Sequence, residues 1–372
     1  MNLSNEDNLR LNVLLAQKLK AIKIDESKMV LYGLTQKGEA SVTLNPNCND
    51  DKYLKIVREL ISSKVMSSSQ GYPAYINRWT RLGHQERDAD SLTQLLRLGD
   101  VEAVVAVVNT PKLPLEVAVN AWWAHPTATN ARKLLASKDV VNAPLGRELC
   151  EYLLEFLPFE IEHRDMIESV RLCLQGDLMN DEEVDDLWTR SKRKQSYYVG
   201  FLHSRANNLP ELTPENKNLA VIQTKLKALS EQNHYADLLL RLLSSQGQTY
   251  LKTIKKVFEK AVSQDTIVSL FIALSHYHKD CCLSRNVKLY IEDAEKAATD
   301  YLQTLVNQDI LLVADCLPEY HAKLHSMLVL SQMGEKTLNP IFGLSDALGS
   351  VMRKKLKPLT EPLNIHIDNL LS

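Results

Sequence analysis

The densest group of chemically capable side chains is SHYHKDCC, Ser275 to Cys282. His276, His278, Cys281 and Cys282 are all metal-ligand types, and adjacent thiols could hold sulfane sulfur or be oxidised together. Neighbouring side chains diverge on a helix or strand, however, so Cys281 and Cys282 chelate a single zinc ion poorly. No second C-x-x-C or H-x-x-x-H pair is coupled to them. Packing is the favoured reading, with thiol chemistry at Cys281 and Cys282 as the alternative. A second group, HAKLH, places His321 and His325 on one helix face. It is half of a zinc-protease motif with Ala322 where the general-base glutamate belongs, which excludes that reaction.

Three basic clusters follow different logic: Lys192, Arg193 and Lys194; Lys252, Lys255 and Lys256; and Arg353, Lys354, Lys355 and Lys357. Gathered on one face they would bind phosphate backbones with salt-dependent affinity. Left apart they are solvated helix faces, and the last cluster sits where it would complement a helix C-terminus. Arg78, Trp79 and Arg81, close to Tyr72 and Tyr75, interleave aromatic and cationic groups that stack bases or anions. Docking of a crossing segment, with arginines at its rim, explains the same pattern. Trp122, Trp123 and His125 end a short apolar segment, where core packing with a hydrogen-bonded indole is favoured and at least one indole is expected to be buried.

No G-x-x-x-x-G-K-[ST], G-x-G-x-x-G or G-x-S-x-G loop is present, and no carboxylate pair has a reason to be catalytic. No cofactor, metal or small-molecule substrate is therefore inferred. Lys and Arg total 44 against 46 Asp and Glu, a formal charge of -2 that gives no global field for nucleic acid. The six cysteines are too dispersed for a disulfide framework. The start lacks the parts of a signal peptide, and no run approaches the roughly 20 apolar residues of a membrane span. A cytoplasmic protein without membrane contact is expected.

The elements around these groups are mostly helical. Only 12 glycines accompany abundant Leu, Ala, Glu and Lys. AIKID, KMVLYGLT and EASVTLN (21–25, 28–35 and 39–45) alternate like strands joined by hairpin turns, and Asp50 or Asp51 caps the helix after them. From Ser91 onward, short amphipathic helices alternate with caps and prolines: Gly99 and Asp100, Pro114, Pro126, Pro144 and Asn180. Pro358 and Pro362 should stop the last helix near Leu356. The fold class expected is mainly α: an antiparallel helical array, solenoid-like in the manner of HEAT or armadillo proteins without a strict repeat, carrying a small N-terminal α+β module with a short antiparallel meander. The divisions expected are 1–66 for that module, 67–90 for a linking and docking segment, 91–209 for the array and 210–372 for its continuation.

Several stretches together are similar to one family. LRLNVLLA, AIKIDESKMVLYGL, YLKIVRELIS, GYPAYINRWTRLG, LLRLGDVEAVVAVV, AWWAHPTATNARKLL, EYLLEFLPFE, IESVRLCL and SYYVGFL, spread over roughly the first 210 residues, resemble DsrS, the sulfur reduction protein family associated with the dissimilatory sulfite reductase gene cluster. The resemblance implies an accessory role in sulfur metabolism and transfers no catalytic residue. Together these readings lead to an expectation of a non-enzymatic accessory or regulatory protein acting through protein or RNA contacts on a helical surface. The alternative is a thiol-based sulfur carrier or redox protein using Cys281 and Cys282.

Overall fold

Strand alternation yields an antiparallel meander: β1 (Leu19–Asp25), β2 (Val30–Thr35) and β3 (Gly38–Thr43), in the order β1-β2-β3. Ile22 stands opposite Gly33, and Gly33 opposite Ala40. The computed structural model describes residues 3–66, 89–283, 290–304, 307–343 and 347–372. Helix α1 (Asn5–Leu15) and helix α2 (Asp50–Met66) accompany the sheet, and Leu11, Leu14, Ile22, Leu31, Tyr53, Val57 and Ile61 form their shared core. Asn49, not Asp50 or Asp51, caps α2: its side-chain oxygen accepts the Asp51 amide at 3.1 Å. A cap must precede the first helical residue, and Asp50 is already inside.

The chain forms two compact units, Met1–Phe156 and Leu157–Ser372. The first unit adds α3 (Ala89–Leu96), α4 (Val101–Val108), α5 (Leu115–Ala124), α6 (Ala128–Leu135), α7 (Lys138–Val141) and α8 (Pro144–Phe156). Gly99 takes the left-handed conformation (φ 66°) after α3, and Asp100 caps α4 by accepting the Glu102 amide at 2.9 Å. Trp122, at 7% exposure, meets Tyr152 edge-on and donates to Glu148 at 2.7 Å. Trp123 donates to Glu39 on β3 at 3.0 Å, beneath the Lys23 ammonium 4.3 Å from its ring. The double Trp thus ties α5 to α8 on one side and to the sheet on the other.

The second unit holds α9 (His163–Cys173), α10 (Asp181–Ser191), α11 (Gln195–Ser204), α12 (Leu219–Leu226), α13 (His234–Leu243), α14 (Ser245–Lys260) and α15 (Gln264–Tyr277). After these come α16 (Ile291–Gln303), α17 (Gln308–Cys316), α18 (His321–Ser331), α19 (Asn339–Phe342) and α20 (Gly349–Leu371). Helix α11 is buried from Gln195 through Leu202 and packs against α9, α10, α14 and α15. A helix packed on most sides is apolar over most of its surface. Gly200 lets α9 come close: a Cβ there would meet Val170 at 2.6 Å. Among the described residues no helix is long and apolar enough to cross a membrane.

Helix α20 overturns one expectation. It runs through Pro358 and Pro362 instead of stopping near Leu356. Each interior proline costs about 3 kcal/mol. Against this, Met352, Leu356, Leu359, Leu363, Ile367 and Leu370 are all buried along one face, each contributing about 1.5–3 kcal/mol. Burial prevails. The basic run Arg353–Lys357 consequently occupies the early turns of α20 and cannot complement the C-terminus of its own helix; Arg353 instead complements that of α14, donating to the Ala261 carbonyl 2.8 Å away.

Candidate functional site

Helices α10, α11 and α14 and the segment around Pro210 surround an open cleft of about 630 Å³. Its first wall is set by the capping box that starts α10, in which Asn180 and Glu183 exchange side-chain-to-backbone hydrogen bonds of 2.9 Å each. Five residues after Glu183, Trp188 packs edge-on against Tyr198 and Phe201, at centroid distances of 4.8 and 5.0 Å. These rings are buried, so they act as walls and not as stacking platforms. Lys192 caps the C-terminal end of α10 and lines the cleft from there.

The opposite wall comes from a distant part of the chain. The proline-bearing segment 207–214 lies along α14: the Leu209 amide donates to Gln246 at 2.8 Å and the Thr213 amide to Thr249 at 2.9 Å. Glu211 is thereby placed to accept from Lys256 at 3.1 Å, and the same ammonium lies 5.8 Å from the Tyr198 ring. Burial first, then the Glu211 charge, raises the Tyr198 pKa. Lys260, one turn further along α14, is exposed in the cleft. Asp185 and Glu211 therefore face Lys192, Lys256 and Lys260. Gln195 also lines the cleft, is 8% exposed, and its side-chain oxygen has no hydrogen-bond partner.

Of the sequence-predicted residues, the fold brings Lys192 and Lys256 to this one cleft. Lys255 turns to Asp368 on α20, Lys194 lies 5.8 Å from the Tyr197 ring, and Arg193 and Lys252 are exposed without lining it. Arg78, Trp79 and Arg81 lie outside the described residues. Lys260, Gln195, Trp188 and Glu211 were not signalled. Lys260 is one helical turn from Lys256, the only cue in the sequence that reaches any of them.

The SHYHKDCC group does not converge. His276 is exposed, His278 and Cys281 are buried, and Cys282 is half-buried. The Cys281 thiol donates to the His234 carbonyl at 3.3 Å, and burial pushes its pKa up to about 12. At neutral pH it is therefore a thiol and not the nucleophilic thiolate. His321 is exposed whereas His325 is engaged, its Nε2 lying 3.2 Å from both the Glu295 carbonyl and the Thr299 hydroxyl. Among the described residues no group of three or more His, Cys, Asp or Glu side chains could hold a metal ion.

A chain of serine, histidine and carboxylate does occur. Ser326 Oγ lies 3.2 Å from His366 Nδ1, whose Nε2 is 3.0 Å from Glu295. Ser326 is wholly buried and also accepts from Asn369 at 3.2 Å, so these groups pin α16, α18 and α20 together with the hydroxyl closed to solvent. Comparison with known proteins finds no matching family model, no matching curated protein and no matching solved structure.

Proposed function

We propose that the chain is a non-enzymatic interaction protein whose cleft between α10, α11 and α14 receives an acidic segment of a protein partner. The observation that carries this reading is the meeting of Lys192 with Lys256 and Lys260 on one exposed surface. Two carboxylates in the same cleft favour an acidic polypeptide segment, whose carboxylates are spaced among neutral side chains, over the unbroken charge of a polyphosphate backbone, which they would repel. The similarity to the DsrS family supplies the context: an accessory role in dissimilatory sulfur metabolism. The buried, protonated Cys281 lends no support to a sulfur-carrier role.

A photo-crosslinking residue at exposed Thr189 tests the proposal in sulfur-metabolising cells. Crosslinks to one protein through an acidic segment, lost at least tenfold in the double variant Lys192→Glu/Lys256→Glu, are the expected result. Crosslinks to RNA, or a protein crosslink indifferent to both reversals, overturn it.

A further inference from the structure

Three buried polar side chains and the partly buried Arg241 come together where α13, α14 and α15 meet. Arg241 comes from α13, Tyr250 from α14, Tyr277 from the end of α15 and His278 from its cap. The Tyr250 and Tyr277 rings stack at 4.1 Å and 18°, and the Arg241 guanidinium carbon lies 4.7 Å from the Tyr277 centroid. The His278 ring is 5.2 Å from that of Tyr277 and 6.4 Å from that of Tyr250. Arg241 Nε, both phenol oxygens and His278 Nε2 are buried without a hydrogen-bond partner. Only Gln195, Gln332 and Asn364 share that condition among the described residues, and they are scattered over the unit. Four such groups left bare would offset a large share of a domain's net stability.

The chemistry of these groups specifies a complement. His278 Nδ1 lies 2.9 Å from the Leu274 carbonyl, which can only accept, so Nδ1 carries the proton and Nε2 presents a lone pair. The guanidinium N–H can only donate, and each phenol, able to donate or accept, has its O–H to give. Asp237, the carboxylate paired with Arg241, is 3.9 Å away and exposed, so the cationic charge is weakly balanced. Three donors, one acceptor and an under-compensated cation match a small oxyanion that retains one O–H. In such a site its oxygens would accept from Arg241, Tyr250 and Tyr277, and its O–H would donate to His278. Arg241, 33% exposed along its side chain, connects the cluster with solvent.

We infer that this cluster is an internal binding site for a small protonated oxyanion of the hydrogencarbonate or dihydrogenphosphate type. Calorimetric titration of the full chain at pH 6.5 with sodium hydrogencarbonate and with inorganic phosphate, at constant ionic strength set by chloride, is the test. One saturable site per chain for at least one anion is expected, weakened at least tenfold by Tyr277→Phe and by Arg241→Lys. Tyr277→Phe removes an oxygen with no protein partner, so it decides the matter if Arg241→Lys does not fold. Absence of saturable binding by both anions, binding unchanged in Tyr277→Phe, or a high-resolution crystal structure grown with both anions and showing only water against the four groups overturns the inference.

Discussion

Asp7 in the first unit and Arg241 in the second are charged side chains set among packed helices, and their surroundings are opposites. Asp7 is fully buried and saturated: its oxygens accept from the Tyr53 phenol at 2.6 Å and from the Asn45 side chain and backbone at 3.0 and 3.3 Å. Burial raises its pKa, and the hydrogen bonds from Tyr53 and Asn45 outweigh that effect and hold the carboxyl below its usual range. Around Arg241, four buried polar atoms on neighbouring side chains have no hydrogen-bond partner. A saturated polar group joins pieces of a fold; an unsaturated buried cluster calls for partners from outside the chain, an ion or water.

That contrast can be broken most forcefully at Asp7. Asp7→Ala strands the buried Tyr53 hydroxyl and returns the exposed Asn45 side chain to water, and a loss of about 3 kcal/mol is expected in urea denaturation. Next comes acid. His278 is held neutral in the fold, its pKa lowered to about 4 by burial and then by Arg241. The unfolded chain protonates the same ring near pH 6.5, so it binds the extra proton first. Stability from this group is complete above about pH 6.5 and falls by on the order of 3 kcal/mol as pH drops to 4. The difference between parent and His278→Gln stability curves should show that slope; parallel curves would contradict it.

The comparison sharpens with one substitution made twice. Tyr53→Phe removes a hydrogen bond to a carboxylate and should cost about 2 kcal/mol, whereas Tyr277→Phe in anion-free buffer should change stability by less than about 0.5 kcal/mol. Equal costs at the two positions would mean that the two clusters are energetically alike.

Local signals were legible before packing was known. Gly99, Asp100 and the Asn180 capping box act within a few residues, and strand alternation states its own period. Interior prolines mislead because the burial that overrides them comes from helices far away in sequence. The cleft was half legible for the same reason: Lys192 and Lys256 stand out as members of clusters, but only the pairing of α10 and α11 with α14 shows which lysines meet. Arg241 lies inside an apolar run, HYADLLLRLL, and nothing within that run indicates that Tyr250, Tyr277 and His278 will gather around it.

Helix α20 has a consequence for the order in which the protein is made. Its final carbonyls are held by side chains encoded much earlier: Leu370 accepts from Asn216 and Gln248, and Asn369 from Lys323. Its apolar face lies against α13, α14, α16 and α18. A chain leaving the ribosome can therefore close its first unit early, while the second waits with open surfaces until Leu370 emerges. A premature stop between Gly349 and Leu370 would release a chain whose first unit is finished and whose second is ready for chaperones and proteases.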